Sequence, residues 1–264
     1  MDVSERFAEL VTRPEPEIRL DEGAFLIAAH ARPGLDVSAE CTRLDGVAAD
    51  VARAGASDFA GLARGLFGGP SPYVGNTDDY GDPANSYLDA VLDRRLGIPI
   101  TLSVLMVEVG RRIDVPVVGV GMPGHFLARD ARDPASFCDP FDGGALLDPE
   151  GCAARFAEVT GGRTPFDPGF LDPVGPRAIL SRMLANLEQT FLVRERRHAV
   201  WAARLELSVP GLAPGRRRTL AMLLGTLGRH TEAAAELEAL ATSGHPAGGP
   251  ELQRLATGLR ARSN

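Results

Sequence analysis

Leu88, Val91, Leu92 and Leu96 recur at i, i+3, i+4 and i+8, which predicts an amphipathic helix. Ser86 and Asp89 have the S-x-x-D spacing of a capping box at its start. Gly97 stands where the helix would end, because glycine takes the left-handed conformation at little cost. Pro99 suits the first turn of a second helix, where its missing N–H is not needed. Residues 100–113 are nearly all apolar. Their length exceeds that of a typical strand, and Thr101, Glu108 and Arg111/Arg112 form one polar stripe at helical spacing, so a buried central helix is predicted. The period then changes to two. Residues 117–122 and 125–130, parted by Pro123-Gly124, read as strands, and 136–141 and 145–148 repeat the pattern around Asp142-Gly143-Gly144.

The flanks are helical. Residues 22–30 carry Phe25, Leu26 and Ala29 on one face, and 39–54 carry Leu44, Val47, Ala48 and Val51. Residues 68–84 form a Gly/Pro/Asp loop too long to be a mere connector, and such loops often line a site. Residues 149–176 read as a linker with a short helix near 153–159. Beyond Arg177, helices at 179–193 and 199–207 form one pair, and 220–227 with 232–240 another. Ala199 and Ala233 are 34 residues apart, and Leu227-Gly228-Arg229-His230 resembles the turn of a tetratricopeptide unit. Arg216-Arg217-Arg218 is expected to be a solvated helix start. The class expected is α+β, with a domain over 1–175 (helical 1–70, core 71–150) and a tetratricopeptide-like helical region over 176–264.

With 264 residues and 44% hydrophobic content, the chain can bury a sizeable core. A net charge of −7 argues against nucleic acid as partner. All 28 basic residues are Arg, so no Lys is present to act as an acyl acceptor. The charged MDVSERFAEL start lacks a signal-peptide apolar run, and no run approaches the roughly 20 residues of a membrane span. The three Cys are widely spaced and suggest no disulfide framework. A cytoplasmic protein without membrane contact is expected. His30, within the first of these helices, reads as an ordinary structural or surface histidine. Asp78, Asp79 and Asp82 lack the Gly and Glu of an EF-hand, so no metal is expected. Gly119-Val120-Gly121-Met122-Pro123-Gly124 is formally G-x-G-x-x-G, but it leads into a strand instead of opening a helix, so no dinucleotide and no other cofactor is expected.

His125 and Asp139 both point out of the predicted strands. Paired as a hairpin across Arg132-Asp133-Pro134, they lie opposite each other or one register step apart, with Cβ atoms roughly 5 Å apart. A buried helix followed by an antiparallel sheet carrying a His and then an Asp is the layout of papain-like and transglutaminase-like folds. The run from Tyr73 to Gly144 resembles the SirB-type transglutaminase-like family. The matching blocks are Gly75-Asn76 with Tyr80, Asn85-Ser86-Tyr87-Leu88, Arg94 to Ile100, Pro123-Gly124-His125-Phe126-Leu127 and Asp139 to Gly144.

The resemblance implies a central helix packed on an antiparallel sheet, and a G-x-C-x-x-x-[AS] motif at that helix's start. There the helix end and a nearby His would convert a thiol into a thiolate. On this chain the motif falls on Gly97 to Ser103, and its Cys position is Pro99. His125 and Asp139 match the other two members. Thr101 is a weak substitute nucleophile, Ser103 is a turn deeper, and Cys138, beside Asp139, faces the other way along its strand. Two functions follow. One is a degenerate transglutaminase-like domain that binds a protein through its cleft or its C-terminal helices. The other is a noncanonical hydrolase or acyltransferase with His125 as base, oriented by Asp139.

Overall fold

The computed structural model describes residues 2–242 and 249–262 and begins with helices α1 (Val3–Thr12), α2 (Leu20–Ala31), α3 (Val37–Arg53) and α4 (Phe59–Phe67). Aspartates start three of them. Asp2 forms a capping box with Glu5, Asp36 accepts from the amides of Ser38 and Ala39, and Asp58 accepts from that of Gly61. Sequence periodicity indicates α2 and α3 but leaves α1 and α4 unmarked.

Next come β1 (Val74–Gly75), α5 (Leu88–Arg94), β2 (Leu96–Gly97) and α6 (Pro99–Arg112). The capping box expected at Ser86 does not form: Ser86 ends a 3-10 turn, Pro83–Ser86, and Tyr87 caps α5 without a side-chain bond. Asp89 instead meets Arg32 at 2.5 Å. The left-handed residue ending α5 is not Gly97 but Arg95, at φ 56°. That conformation costs a non-glycine residue about 1–2 kcal/mol. It is offset by the bond from the Val74 amide to the Arg95 carbonyl and by the stacking of its guanidinium on Tyr73. The chain can then run on as β2, paired in parallel with β1.

Helix α6 is the predicted central helix. Pro99 occupies its first turn, and residues from Pro99 to Gly110 are buried apart from Val107. It lies against β3 and β4 on one side and against α2, α3, α4 and α5 on the others. Its polar stripe is buried at Thr101 and Glu108 and reaches the surface at Arg111. Glu108, 3% exposed, pairs with Arg111 and Arg112, and Arg112 reaches Asp21 of α2 at 2.5 Å.

The sheet comprises β3 (Val117–Val120), β4 (Leu127–Asp130), β5 (Phe137–Asp139), β6 (Ala145–Leu147) and, after α7 (Pro149–Thr160), β7 (Pro173–Val174). Its order is β6-β5-β4-β3-β7, antiparallel throughout. The edge strand β7 lies outside the 71–150 core outlined from sequence, in a stretch that reads as a linker. Two residues starting with Pro carry no period-two signal. Helix α7 is longer than the expected 153–159, because Asp148 caps it and Pro149 starts it. The G-x-G-x-x-G segment ends β3 and leads into β4, as its Pro-Gly implies.

Two units are distinguished, Met1–Met183 and Leu184–Asn264, with the division inside α8 (Pro176–Arg194). The second unit continues with α9 (Ala199–Leu207), α10 (Pro214–Thr226), α11 (His230–Thr242) and α12 (Gly249–Ala261). Helix α12 was not foreseen. The three consecutive arginines of α10 are not a solvated start. Arg216 binds Glu188 at 2.5 Å and Glu206 at 2.6 Å, Arg217 binds Glu236 at 2.7 Å, and Arg218 binds Glu251 at 2.6 Å. One helix start thereby ties four other helices through charge-assisted bonds.

Candidate active site

Asp139, fully buried at the end of β5, gathers the site. Its Oδ1 accepts from the amides of Phe141 (3.1 Å) and Asp142 (3.3 Å). Its Oδ2 lies 2.8 Å from His125 Nε2 and 3.1 Å from Arg155 Nε. The arginine contact lacks hydrogen-bond angles, since Arg155 Nε has no hydrogen-bond partner. Four groups therefore converge on one carboxylate, and the two backbone bonds fix its plane. With Nε2–H donating to Asp139, the lone pair of a neutral imidazole resides on Nδ1, which makes no hydrogen bond among the described residues. This is the orientation required of a base whose other nitrogen is held by a carboxylate.

The pairing forms by a different route from the expected hairpin. His125 is not in a strand: it follows the Pro123-Gly124 turn, two residues before β4. The register pairs Ala128 with Cys138 and Arg129 with Phe137, so its continuation sets Leu127, not His125, opposite Asp139. His125 reaches Asp139 from two residues further along. Arg182 of α8 secures this turn by donating to the carbonyls of Met122 (2.8 Å) and His125 (2.7 Å). Phe141 packs edge-on to the His125 ring, with centroids 6.3 Å apart, and Tyr80 packs edge-on to Phe141 at 5.8 Å.

The start of α6 belongs to the same neighbourhood. Gly97, two residues before Pro99, pairs with Gly75, and a Cβ added at Gly75 would lie 2.5 Å from the Phe141 carbonyl oxygen. Only hydrogen fits there. Gly75→Ala is expected to lower the unfolding free energy by about 1–3 kcal/mol through overpacking, measurable by urea denaturation. It should also shift the His125 ring resonances, because Phe141 must move. An alanine variant of wild-type stability with unmoved His125 signals would contradict this close approach.

Among the described residues, no nucleophilic side chain is hydrogen-bonded to His125. Pro99 fills the first position of α6. Thr101 is fully buried and its Oγ1 makes no hydrogen bond, so His125 is not held as its base; Ser103 Oγ is equally buried and unbonded. None of the three thiols has a hydrogen bond to the pair among the described residues, and all are the reverse of activated. Burial pushes Cys41 up to about 11 and Cys152 up to about 12, and burial beside Asp139 pushes Cys138 higher still. Arg155 and Arg182 were not foreseen. Arg155 also pairs with Asp142 and Glu158, and its i,i+3 relation to Glu158 reads in sequence as an ordinary helix-surface pair. Asp82, considered as a calcium ligand, caps the 3-10 turn and pairs with Arg94. His30 faces Ser4 Oγ at 3.4 Å, a structural contact. Among the described residues, no helix is long and apolar enough to cross a membrane.

Comparison with known proteins gives the chain its family. A UPF0162 protein of Xylella fastidiosa is 44% identical over 128 residues, spanning 47% of this chain and 46% of that relative. A UPF0162 protein of Pseudomonas aeruginosa is 31% identical over 176 residues, 64% of each chain. Human F-box only protein 21 is 44% identical over 57 residues, which are 22% of this chain and 9% of that one. The matches thus span between about half and two thirds of the bacterial relatives. No solved structure matches. The family model described as the transglutaminase-like superfamily matches residues 38–185, which contain α6, the sheet, His125 and Asp139; the chain belongs to that superfamily.

Proposed function

We propose that this chain is a SirB-type transglutaminase-like protein that has kept the His–Asp half of an acyl-transfer site and uses the site to bind a protein segment. The observation that carries the reading is the pairing of His125 with Asp139 at 2.8 Å beside a helix whose first residue is Pro99. A thiol mechanism needs a thiolate at that helix end, and proline supplies none. The surroundings favour binding. Tyr80 is 53% exposed on Phe141, and Val159, 43% exposed, lies near Gly124 of the His125 turn. These side chains give the site an apolar rim with one polar centre, the usual composition of a recognition pocket. The tetratricopeptide-like helices of 176–264 are the alternative surface for a protein partner. The recurrence of a 57-residue stretch inside the far longer F-box only protein 21 supports a module used for recognition.

The purified chain is expected to incorporate no primary amine into glutamine-donor peptides, at any pH, and iodoacetamide should change nothing. Peptides selected from a display library should lose binding to the Tyr80→Ala variant. Turnover abolished by thiol alkylation would overturn the reading. The second reading, a hydrolase using His125 to activate water, is favoured by the unbonded Nδ1. Ester hydrolysis that disappears in His125→Ala would select it over binding.

A further inference from the structure

We propose that a cavity that does not include His125, between α3, α4 and the 68–71 loop, binds a small organic phosphate monoester. The cavity measures about 380 Å3, within the size range of small-ligand pockets. Arg64, Tyr73 and Arg95 line it. Arg64 carries no ion pair or side-chain hydrogen bond among the described residues. Tyr73 is 2% exposed as a residue, and its hydroxyl, unbonded among the described residues, is not fully sealed from solvent, which leaves it open to a ligand in the cavity.

Arg95 is the left-handed residue that ends α5, and its contacts with Ser71 and Tyr73 hold its guanidinium at this cavity. It lies 4.6 Å from the Tyr73 ring centroid and spends one donor on the Ser71 carbonyl at 2.6 Å, leaving most of its N–H groups unused. Asp50 is the one carboxylate among the lining residues, and Arg53 already binds it. The cavity therefore presents two guanidinium groups and a phenol, all donors, against one lining carboxylate, Asp50, which is paired with Arg53. Three donor groups suit the three free oxygens of a monoester dianion better than the two of a carboxylate. The volume exceeds what a phosphate group alone would fill, which leaves room for an organic body.

The test is calorimetric titration of the full chain with phenyl phosphate, with inorganic phosphate and benzoate in parallel. Phenyl phosphate should saturate a single site and bind at least about fivefold more tightly than either control. Arg64→Ala should weaken it about tenfold and Tyr73→Phe about threefold or more, as loss of charge-assisted bonds predicts. Tyr73→Phe removes one oxygen, and an unchanged urea midpoint would show that the fold is kept. Should it unfold, Arg64→Ala, at an exposed position, carries the test alone. Failure to saturate, indifference to Arg64→Ala, or equal binding of benzoate or inorganic phosphate would each overturn the assignment.

Discussion

Replacing Asp21 with Ala is expected to lower the unfolding free energy by about 3 kcal/mol, near the lower end of the range for breaking a buried ion pair. Asp21 is fully buried in the first turn of α2. Its carboxylate takes two bonds from Arg19, at 3.1 and 2.9 Å, and lies 2.5 Å from Arg112 and 3.4 Å from Arg111 of α6. The variant leaves Arg112, 8% exposed, short of one partner in the core. Arg112 keeps Glu108 at 2.7 Å and Asp45 at 2.6 Å, which is why the loss stays at the lower end.

The pH dependence has a definite sign. Burial pushes the Asp21 carboxyl up, but the hydrogen bonds from Arg19 and Arg112 together outweigh it and hold the group at about 2, below its usual 3.8. A carboxyl depressed on folding contributes stability that is complete above pH about 4 and is lost as pH falls toward 2. That difference corresponds to about 2 kcal/mol. Urea unfolding between pH 6 and pH 2 should therefore fall less steeply in Asp21→Asn than in the wild type. Asp45→Ala, removing a side chain that is 63% exposed, should cost less than about 1 kcal/mol. Equal losses for Asp21→Ala and Asp45→Ala would show that the buried network does not join α2 to α6.

Asp21 also shows where sequence reading stops. It precedes Glu22 at a helix start, where acidic residues are common, and nothing local marks it as the partner of an arginine ninety-one positions away. The elements with strong local periodicity were legible: α6 from its length and Pro99, the strands from their change of period, the turn from Asp142-Gly143-Gly144. So was the pairing of His125 with Asp139, because alternation and turn chemistry set both at one end of the sheet. The exact register was not, since the Pro123-Gly124 turn takes His125 out of the strand and only Arg182, far along the chain, fixes its return. Residues that act across the fold, such as Arg155, Arg182 and the arginines of α10, carry charges that look solvated until their partners are known.

Pro99→Cys should give a thiol with a pKa between about 3.5 and 7.5, the range of thiols at helix starts beside histidine, instead of about 8.5. Pro99 is the first residue of a helix of 14 residues, and Ile98 before it supplies no side-chain cap, so the first-turn amides are free to stabilise a thiolate. The β1–β2 pair and Phe141 bring this helix end to the neighbourhood of His125, whose Nδ1 is uncommitted. One effect opposes them: Pro99 is buried, and burial alone raises thiols, as it does Cys152. A helix end and an imidazolium beside the thiolate would both act on the charged form, so they are expected to outweigh partial desolvation. The fold should tolerate the change, with a loss of about 0.4–1 kcal/mol from the more flexible unfolded chain. The native thiols, Cys138 and Cys152 buried and Cys41 half-buried, are all raised and should react slowly enough for the new one to be followed directly. Iodoacetamide rates against pH would give the midpoint, and His125→Ala in the same background should move it upward by a unit or more. A midpoint at or above about 8.5, unmoved by His125→Ala, would mean that the start of α6 does not face the His–Asp pair.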